Sequence, residues 1–217
     1  MIPVLFENPD IVVIDKPAGI STIPERLSGS LCLRDIISEQ FSQKLFVVHR
    51  LDKEVSGVMV FARNAPAHRF FNTLFESRTV DKVYRALVHG VVDRDSMRIT
   101  APIRRFGSGR MGIDEMIGLP SMTDVSVLER FSSCTLVDSS PRTGRRHQIR
   151  VHLYSIGHPV MGDLRYGDRS VQTLSPRLML HSHMIRLRLP SGEPLSIESP
   201  IPEPFSTTLA SLRKREP

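Results

Sequence analysis

Short apolar runs, rich in β-branched and aromatic residues and bounded by Gly, Pro or Asn, recur along the chain and predict β-strands. Asn8 and Pro9 separate the first two runs, and Gly19 ends the second. In the run that contains Tyr84, alternation places Lys82, Tyr84, Ala86 and Val88 on one face. The predicted strands are VLFE, IVVIDKPAG, KLFVVHR, GVMVFAR, KVYRALVHG, TDVSVLERF and CTLVDSSP.

Four other segments have apolar residues at helical spacing. Asn64 and Pro66 mark the start of one of them, and Gly157 is expected to stop another. The aromatic stripe that includes Phe70 and Phe71 is more typical of a core than of a ligand site. The predicted helices are SLCLRDIISEQF, NAPAHRFFNTLFESR, HQIRVHLYSIG and PEPFSTTLASLRKREP, the last with a frayed basic end.

The segment 104–121 is rich in Gly and Met and has little periodicity, so it predicts a mobile hairpin or loop. No internal repeat, low-complexity tract or linker divides the chain. We therefore expect one α+β domain over residues 1–217, with a largely antiparallel sheet that could be arranged in two lobes.

The composition is that of a globular protein, with 40% hydrophobic and 24% charged residues among 217. No apolar run approaches the ~20 residues of a membrane helix, and the first residues do not resemble an export signal. Cys32 and Cys134 lie far apart without metal-site spacing, which indicates free thiols in a reducing compartment, the cytoplasm.

The net charge of +6 and the sequence pI of about 9.8 favour nucleic acid as a partner. Arginine dominates the basic residues, and its planar group both binds phosphate and stacks on bases, which suits RNA. Lysine occurs only at Lys16, Lys44, Lys53, Lys82 and Lys214.

Asp52 lies in the stretch VVHRLDKEVSG, between Arg50 and Lys53, in a loop that joins two predicted strands. An Asp in a turn often only caps backbone N–H groups. The alternative is a catalytic carboxylate whose position is fixed by the flanking strands, with Gly57 allowing a tight turn.

A second cluster, PRTGRRHQIRVH, places Arg142, Arg145 and Arg146 around a turn that precedes the helix. Such a turn is either an anion site or a solvated basic surface, and spacing alone does not decide. In the helix, one predicted face packs on the core and contains Ile149, Leu153 and Ile156. The adjacent face contains His147, Arg150 and Tyr154.

Several stretches together resemble the RluA family of RNA pseudouridine synthases. HRLDKEVSGVMVFAR is similar to the family's HRLDxxTSG signature, VVIDKPAGI to NKPxG, and DKVYRALVHG to KxYxAxVxG. GRMGID with TDVSVLERF resembles the middle hairpin, and PRTGRRHQIRVHL resembles GRTHQIRVH. GHPVMGDLRYG and LMLHSHMIRL are similar to the closing motifs GHPIxGDxxYG and LxLHA. The motifs follow one another in family order over nearly the whole chain.

The resemblance implies the pseudouridine synthase fold, a mostly antiparallel mixed sheet flanked by helices and loops, with a central active-site cleft. It also implies that a uridine within RNA is isomerised to pseudouridine, with no cofactor and no metal. Asp52 aligns with the family's catalytic aspartate. It could attack the ribose C1′ or the uracil C6, or remove a ribose proton, and these alternatives stay open.

By the same resemblance, Tyr84 aligns with the active-site tyrosine that packs on the target base and is a candidate for the proton transfer at C5. Arg150 aligns with the basic residue that pairs with the aspartate. Arg50 aligns with the arginine associated with entry of the flipped base, which must first leave its stack. The expected RNA-binding residues are Arg50, Arg142, Arg145, Arg146 and His147.

Some positions depart from the family pattern, and they leave the choice of target RNA open. None of them is one of the three catalytic positions. The departing positions are Val55, Leu119, Ser121, Val125, Arg146 and Ser182. Because the motifs begin at the start of the chain, we expect a compact member without a small N-terminal domain of the S4 type. The expected partner is an rRNA or tRNA stem-loop, with no membrane, no obligatory protein partner, and a monomeric state.

Two other function classes fit the residues less well. A non-catalytic RNA-binding or RNA-folding module would not need Asp52, Tyr84 and Arg150 together. A nucleoside glycosidase usually needs a second carboxylate, for which Glu54 is the only neighbour. Histidines at 147, 152, 181 and 183 do not form a recognisable set of metal ligands.

Overall fold

A computed structural model describes residues 1–24 and 31–215. The strands are β1 (Val4–Glu7), β2 (Ile11–Lys16), β3 (Phe46–Val47), β4 (Ser56–Ala62), β5 (Asp81–His89), β6 (Ser96–Ile99), β7 (Ile103–Arg105), β8 (Met111–Ile113), β9 (Thr123–Arg130), β10 (Cys134–Pro141), β11 (Leu180–Arg188) and β12 (Pro194–Glu198). The helices are α1 (Leu33–Gln40), α2 (Ala65–Glu76), α3 (Gln148–Ser155), α4 (Arg169–Gln172) and α5 (Glu203–Arg213). The predicted α+β class is confirmed.

The chain forms two compact units. The first contains Met1–Lys82 and Ser182–Pro200, and the second contains Val83–His181 and the segment from Ile201. The expectation of a single catalytic domain over the whole chain stays a prediction.

The first unit is built on antiparallel pairing of β1 with β2, β2 with β4, and β3 with β4. From Ser182 onward, β11 lies beside β4 and pairs antiparallel with β12. Helix α2 packs on this sheet through Phe71, which is fully buried among β-branched side chains of the strands. These include Ile11, Val13, Val58 and Val60.

The second unit contains an antiparallel sheet in the order β5, β10, β9, β6. Strands β7 and β8 form a separate two-stranded hairpin. Helix α3 packs against β8, β9 and β10, and Val151 of this helix meets Ile103, Met111 and Tyr166 in a small core. On the surface of this unit, α5 is tied to β9 by an ion pair of Arg213 with Glu129.

Most of the predicted elements are confirmed, and their ends follow the expected chemistry. Asn64 caps α2, because its side chain accepts a hydrogen bond from the Ala67 N–H at 2.8 Å. Gly157 follows α3 with φ of +84°, a conformation that suits glycine. The segment 104–121 contains the β7–β8 hairpin except for its first residue, Ile103, so the expected hairpin is present, while its mobility stays a prediction.

The prediction of a full strand over KLFVVHR is wrong, since β3 contains only Phe46 and Val47. Beyond them, the His49 side chain accepts the hydrogen bond from the Val60 N–H, at 3.0 Å. A side chain thus takes the place of a strand partner there. Helix α3 begins at Gln148 and not at His147, whose φ of 55° is left-handed.

Strands β6, β11 and β12 and the short helix α4 were not predicted. Residues 25–30, and Glu216 and Pro217 of the expected frayed end, lie outside the described residues. Ser30, the first residue of the first predicted helix, lies there too. No helix in the described ranges is both long and apolar enough to cross a membrane.

Among the described glycines of the first unit, Gly57 is the one where glycine is most strictly required. Its φ is +113°, and a Cβ there would overlap the Ser182 carbonyl group. We expect Gly57→Ala to lower the free energy of unfolding by roughly 3 kcal/mol or more, because backbone strain and steric overlap add. Urea unfolding followed by circular dichroism measures this, since the chain has no tryptophan.

Gly192→Ala is the matched control. Gly192 has φ of +86°, but a Cβ added there would meet only open space, so the backbone strain is the sole cost. It should cost about 1–2 kcal/mol. Equal losses in the two variants would show that the close approach to Ser182 contributes nothing.

Candidate active site

Asp52 lies in the loop 48–55 between β3 and β4, which we call the signature loop. The Asp52 side chain is half-buried, whereas Arg50 and Lys53 on either side are exposed. The Val55 N–H donates to the Asp52 carbonyl at 3.1 Å and closes a turn. The carboxylate therefore projects from a main-chain turn that comes directly before β4.

Lys16, at the end of β2, holds this turn from inside the first unit. It is fully buried, and its Nζ donates to the carbonyls of Val55 at 2.7 Å, Pro17 at 2.9 Å and Lys53 at 3.1 Å. Three carbonyl acceptors match the three N–H donors of an ammonium group, which reduces the cost of its burial. Two of these carbonyls belong to residues that closely follow Asp52.

The segment after β2 holds the signature loop through hydrogen bonds at two further residues. The Gly19 N–H donates to the Lys53 carbonyl at 2.8 Å. The Thr22 hydroxyl donates to the Leu51 carbonyl at 2.9 Å and accepts from the Leu51 N–H at 3.3 Å. Sequence reasoning found this segment as a motif but missed that it supports the turn of Asp52.

His49 has a structural environment. Its Nε2 accepts a hydrogen bond from the Val60 N–H, and its ring stacks on Phe75 with 4.6 Å between centroids. Burial, with a smaller effect of the Lys82 charge, lowers the pKa of His49 to about 3. The imidazole is therefore neutral near pH 7, with the proton on Nδ1.

In the second unit, Gln148 organises the turn 142–146, which we call the arginine turn. Its side-chain oxygen accepts from the Thr143 hydroxyl at 2.6 Å and from the Arg145 N–H at 3.0 Å. Its amide nitrogen donates to the Met122 carbonyl at 2.8 Å and to the Thr123 hydroxyl at 3.0 Å. All four bonding directions of the buried amide are thus used.

The arginines of this turn have different surroundings. Arg142 is exposed and forms an ion pair with Asp124 at 2.8 Å. Arg98 binds the same carboxylate, and the two arginines lower the pKa of Asp124 to about 2. The Arg145 Nε donates to the Pro120 carbonyl at 3.3 Å, and Arg146 is exposed.

His147 lies in the interior, only 9% exposed, and its Nδ1 is 2.8 Å from the Tyr166 hydroxyl. Its predicted contact with RNA stays a prediction. His152 is also buried, and it lies 2.8 Å from the Thr123 hydroxyl and 3.1 Å from that of Ser121. Among the described residues, no three His, Cys, Asp or Glu side chains are grouped so that they could hold a metal ion.

Arg150 has a partner that sequence reasoning missed. Its Nε and Nη2 donate to Asp163 at 2.7 and 2.8 Å, a buried bidentate ion pair. The N–H groups of Arg165 and Tyr166 donate to the same carboxylate at 3.0 and 3.1 Å. The Tyr166 ring lies 5.3 Å from the guanidinium. The motif GHPVMGDLRYG contains Asp163 and was the sequence feature that could have indicated this ion pair. The pairing of Arg150 with Asp52 stays a prediction.

Tyr84 is half-buried in β5, where it lies opposite Ser139 of β10. Next to it, Arg85 and Asp138 form a cross-strand ion pair at 3.0 Å. The strand therefore fixes the position of Tyr84 in the sheet of the second unit, as the alternating pattern predicted.

Comparison with known proteins gives a consistent result. A family model described as RNA pseudouridylate synthase matches residues 10–155. The ribosomal large subunit pseudouridine synthase D of Neisseria meningitidis is 35% identical over 229 residues, which cover 97% of this chain but 61% of that protein. An uncharacterized RNA pseudouridine synthase of Zymomonas mobilis is 33% identical, covering 94% of this chain and 95% of that protein.

Solved structures agree with the sequence relatives. The human RNA pseudouridylate synthase domain containing 1 superposes with a TM-score of 0.80 and 27% identity, over 100% of this chain and 96% of that one. The human domain containing 4 gives a TM-score of 0.79 and 28% identity, over 97% and 93%.

The environment of His49 makes stability depend on pH. The unfolded chain takes up a proton on this residue as pH falls below its ordinary pKa of 6.5, whereas the folded chain resists until about 3. Folding stability is therefore lost as pH falls, by about 2 kcal/mol from this group between pH 7.5 and 5. Urea unfolding of wild type and His49→Gln measures it, since glutamine can accept the Val60 N–H but does not titrate.

An imidazole titration by NMR is the direct control. In wild type, one ring should stay neutral down to pH 5 with its proton on Nδ1, and its signal should be missing in His49→Gln. A ring assigned to His49 that titrates near 6.5 would contradict the assigned environment.

Proposed function

Since the chain belongs to the RluA family of RNA pseudouridine synthases, we propose that it isomerises a specific uridine in structured RNA to pseudouridine, with Asp52 as the catalytic carboxylate. The observation that supports this most strongly is the turn that presents Asp52. A buried lysine, a glycine N–H and a threonine hydroxyl hold its main chain. An Asp that merely capped a surface turn would not need such support.

In the proposed reaction, the bond between N1 of uracil and C1′ of ribose breaks, the base rotates, and C5 bonds to C1′. The proton leaves C5 and N1 gains one, so the product is an isomer of the substrate. Asp52 acts as nucleophile at C1′ or C6, or as the base that removes a ribose proton. No cofactor or metal takes part in any of these steps.

Tyr84 and Arg150 are proposed to act on the same uridine. The phenol ring of Tyr84 stacks on the base, and its hydroxyl takes part in the proton transfer at C5. Arg150 pairs with Asp52 and fixes the orientation of its carboxylate. A guanidinium has five N–H donors, so it can bind a second carboxylate while Asp163 binds its Nε and Nη2 edge.

The RNA is proposed to be held through its phosphates by the arginine turn and by Arg50 beside the catalytic Asp52. Exposure of Arg50, Arg142 and Arg146 supports this, as does the net charge of +6. His147 is included because it lies between the arginine turn and the first residue of α3. We also propose that the protein is a monomer that acts in the cytoplasm without protein partners.

The RNA is proposed to be a stem-loop of rRNA, with tRNA as the alternative. Support for rRNA comes from relatives such as the synthase D of Neisseria meningitidis, whose name refers to the large ribosomal subunit. Mapping pseudouridine across cellular RNA with and without this protein identifies the target. An unchanged map would favour the alternative of a non-catalytic RNA-binding module.

Replacing the carboxylate tests the chemistry. Asp52→Asn keeps the shape of the side chain but cannot act as nucleophile or base, so turnover should fall on the order of a thousandfold or more. Release of tritium from RNA that carries [5-³H]uridine measures it. Glu54→Gln, two residues away in the same loop, should keep activity; near-normal turnover by Asp52→Asn would refute the role of Asp52.

Substitutions of different arginines should affect RNA affinity and reaction rate separately. Arg145→Ala and Arg146→Ala should weaken binding of all RNAs similarly, each lowering the slope of log affinity against log salt by about 0.7. Arg150→Lys should bind RNA nearly normally but turn over slowly, since lysine cannot bind two carboxylates with a planar fork.

Filter binding over a salt series, together with single-turnover rates, measures both properties. Arg69→Ala, an exposed arginine of α2, is the matched control and should change neither. If Arg150→Lys lost affinity and salt slope while bound RNA reacted normally, Arg150 would be a phosphate contact instead of a partner of Asp52.

A further inference from the structure

A cavity of about 490 Å³ lies in the second unit, between the β7–β8 hairpin and helix α3. Its lining includes Phe106, Arg110, Met111, Tyr154 and Tyr166. This volume is in the range of small-ligand pockets, about 300–1,000 Å³. The described residues that line it include none of the three assigned to catalysis.

Aromatic rings form much of the wall. The Tyr166 ring is buried, and its hydroxyl is held by His147 and by the Met111 N–H at 3.3 Å. Tyr154 lies 6.1 Å away, centroid to centroid, and is 44% exposed. The cavity thus has one rigid ring inside and one accessible ring at its edge.

A guanidinium completes this arrangement. The guanidinium carbon of Arg110 lies 5.5 Å from the centroid of Tyr154 and 5.1 Å from that of Tyr166. Cation–π contacts of this kind orient the planar group beside the rings. A planar, polar ligand could stack on the ring of Tyr154 and on the guanidinium, and both surfaces accept a nucleobase.

Among the described residues that line the cavity, Arg110 is the only charged one. The hairpin contributes Arg104, Arg105 and Arg110, of which Arg104 is paired with Asp114 at 2.9 Å. Glu115, beyond β8, is the other nearby acid in the hairpin sequence, and α3 itself contains no acidic residue. A lining with one guanidinium and no acidic side chain is compatible with a ligand that carries phosphates.

Helix α3 connects the cavity with the arginine turn. From Gln148, where α3 begins beside the arginine turn, to Tyr154 the helix advances six positions, about 9 Å along its axis. A few nucleotides of a single strand can span this distance. An RNA held at the arginine turn can therefore deliver a base to Tyr154.

From these observations we propose that the cavity binds an unstacked base of the substrate RNA, a nucleotide other than the target uridine. The proposal rests on the proposed function, because that function supplies the RNA. Base stacking on Tyr154 and Arg110 gives affinity that tolerates different bases. The cavity would thereby fix the fold of the loop that presents the uridine.

A double-mutant cycle tests this with the stem-loop that pseudouridine mapping identifies. Each loop nucleotide other than the target is replaced in turn by an abasic nucleotide, which keeps the phosphate. Affinities are then measured for wild type and Tyr154→Ala. We expect one abasic position to weaken wild-type binding about tenfold, and Tyr154→Ala to weaken binding of the intact RNA equally.

The affinity of Tyr154→Ala for the sensitive abasic RNA decides whether the two changes remove one shared contact. Tyr154→Ala with the sensitive abasic RNA should bind no more weakly than either single change, because both remove the same contact. Tyr154→Phe keeps the ring and should bind like wild type. Leu174→Ala, an 84% exposed side chain outside the cavity lining, is the control for surface truncation and should show no coupling.

The possible failures are distinguishable. If wild type forms pseudouridine but no abasic position couples to Tyr154, the cavity proposal alone is wrong. The same holds if Tyr154→Ala loses a protein partner while its RNA affinity is unchanged. If wild type modifies no RNA at all, the proposed function fails, and the cavity proposal fails with it.

Discussion

The ammonium group of Lys16 lies wholly inside the first unit, and the shape of the signature loop depends on it. At a site without solvent contact, a charged group without hydrogen-bond partners would lower the folding stability by several kcal/mol. Carbonyl oxygens of Pro17, Lys53 and Val55 surround it instead. Because two of these lie just after Asp52, the turn cannot shift without exposing the buried charge. Strand β2, one of the most deeply buried strands, thereby fixes the position of a loop carboxylate.

In the second unit, the side chain that fixes the arginine turn is a neutral amide, that of Gln148. Gln148 binds main-chain groups at Arg145 and Met122, so the arginine turn is fixed relative to β9. Arginine side chains repel one another, and a turn rich in them tends to spread. An uncharged amide can hold such a turn without attracting the guanidinium groups away from solvent.

Short apolar runs predicted strands such as β4, which is buried on both faces, and helical spacing predicted helices that bury one face. The prediction from apolar runs failed over KLFVVHR, since a hydrogen bond from Val60 to the His49 ring replaces strand pairing there, and no sequence pattern signals that. Long-range pairs were also missed. Lys16 looks like a surface residue in the sequence, because lysine is rarely buried.

The family motifs marked where such residues are but not what they bind. The motif VVIDKPAGI contains Lys16 but does not show its carbonyl partners, and GHPVMGDLRYG contains Asp163 but does not show its pairing with Arg150. Resemblance therefore proposed the residues of the candidate site, while the contacts that hold these residues came only from the three-dimensional structure. Asp163 shows the difference clearly, since its pairing with Arg150 crosses thirteen positions of the chain.

The contacts that hold the two turns end mostly on main-chain oxygen and nitrogen atoms. Lys16 binds the carbonyl of Val55 and not its side chain, so Val at the position of Thr in the HRLDxxTSG pattern leaves that bond intact. Arg146 likewise points outward from a turn that Gln148 holds through its neighbours. Side chains on these turns can therefore diverge while the backbone keeps its course. Over evolutionary time, such a scaffold can acquire new RNA targets by surface substitution alone, without rebuilding the loop that carries its carboxylate.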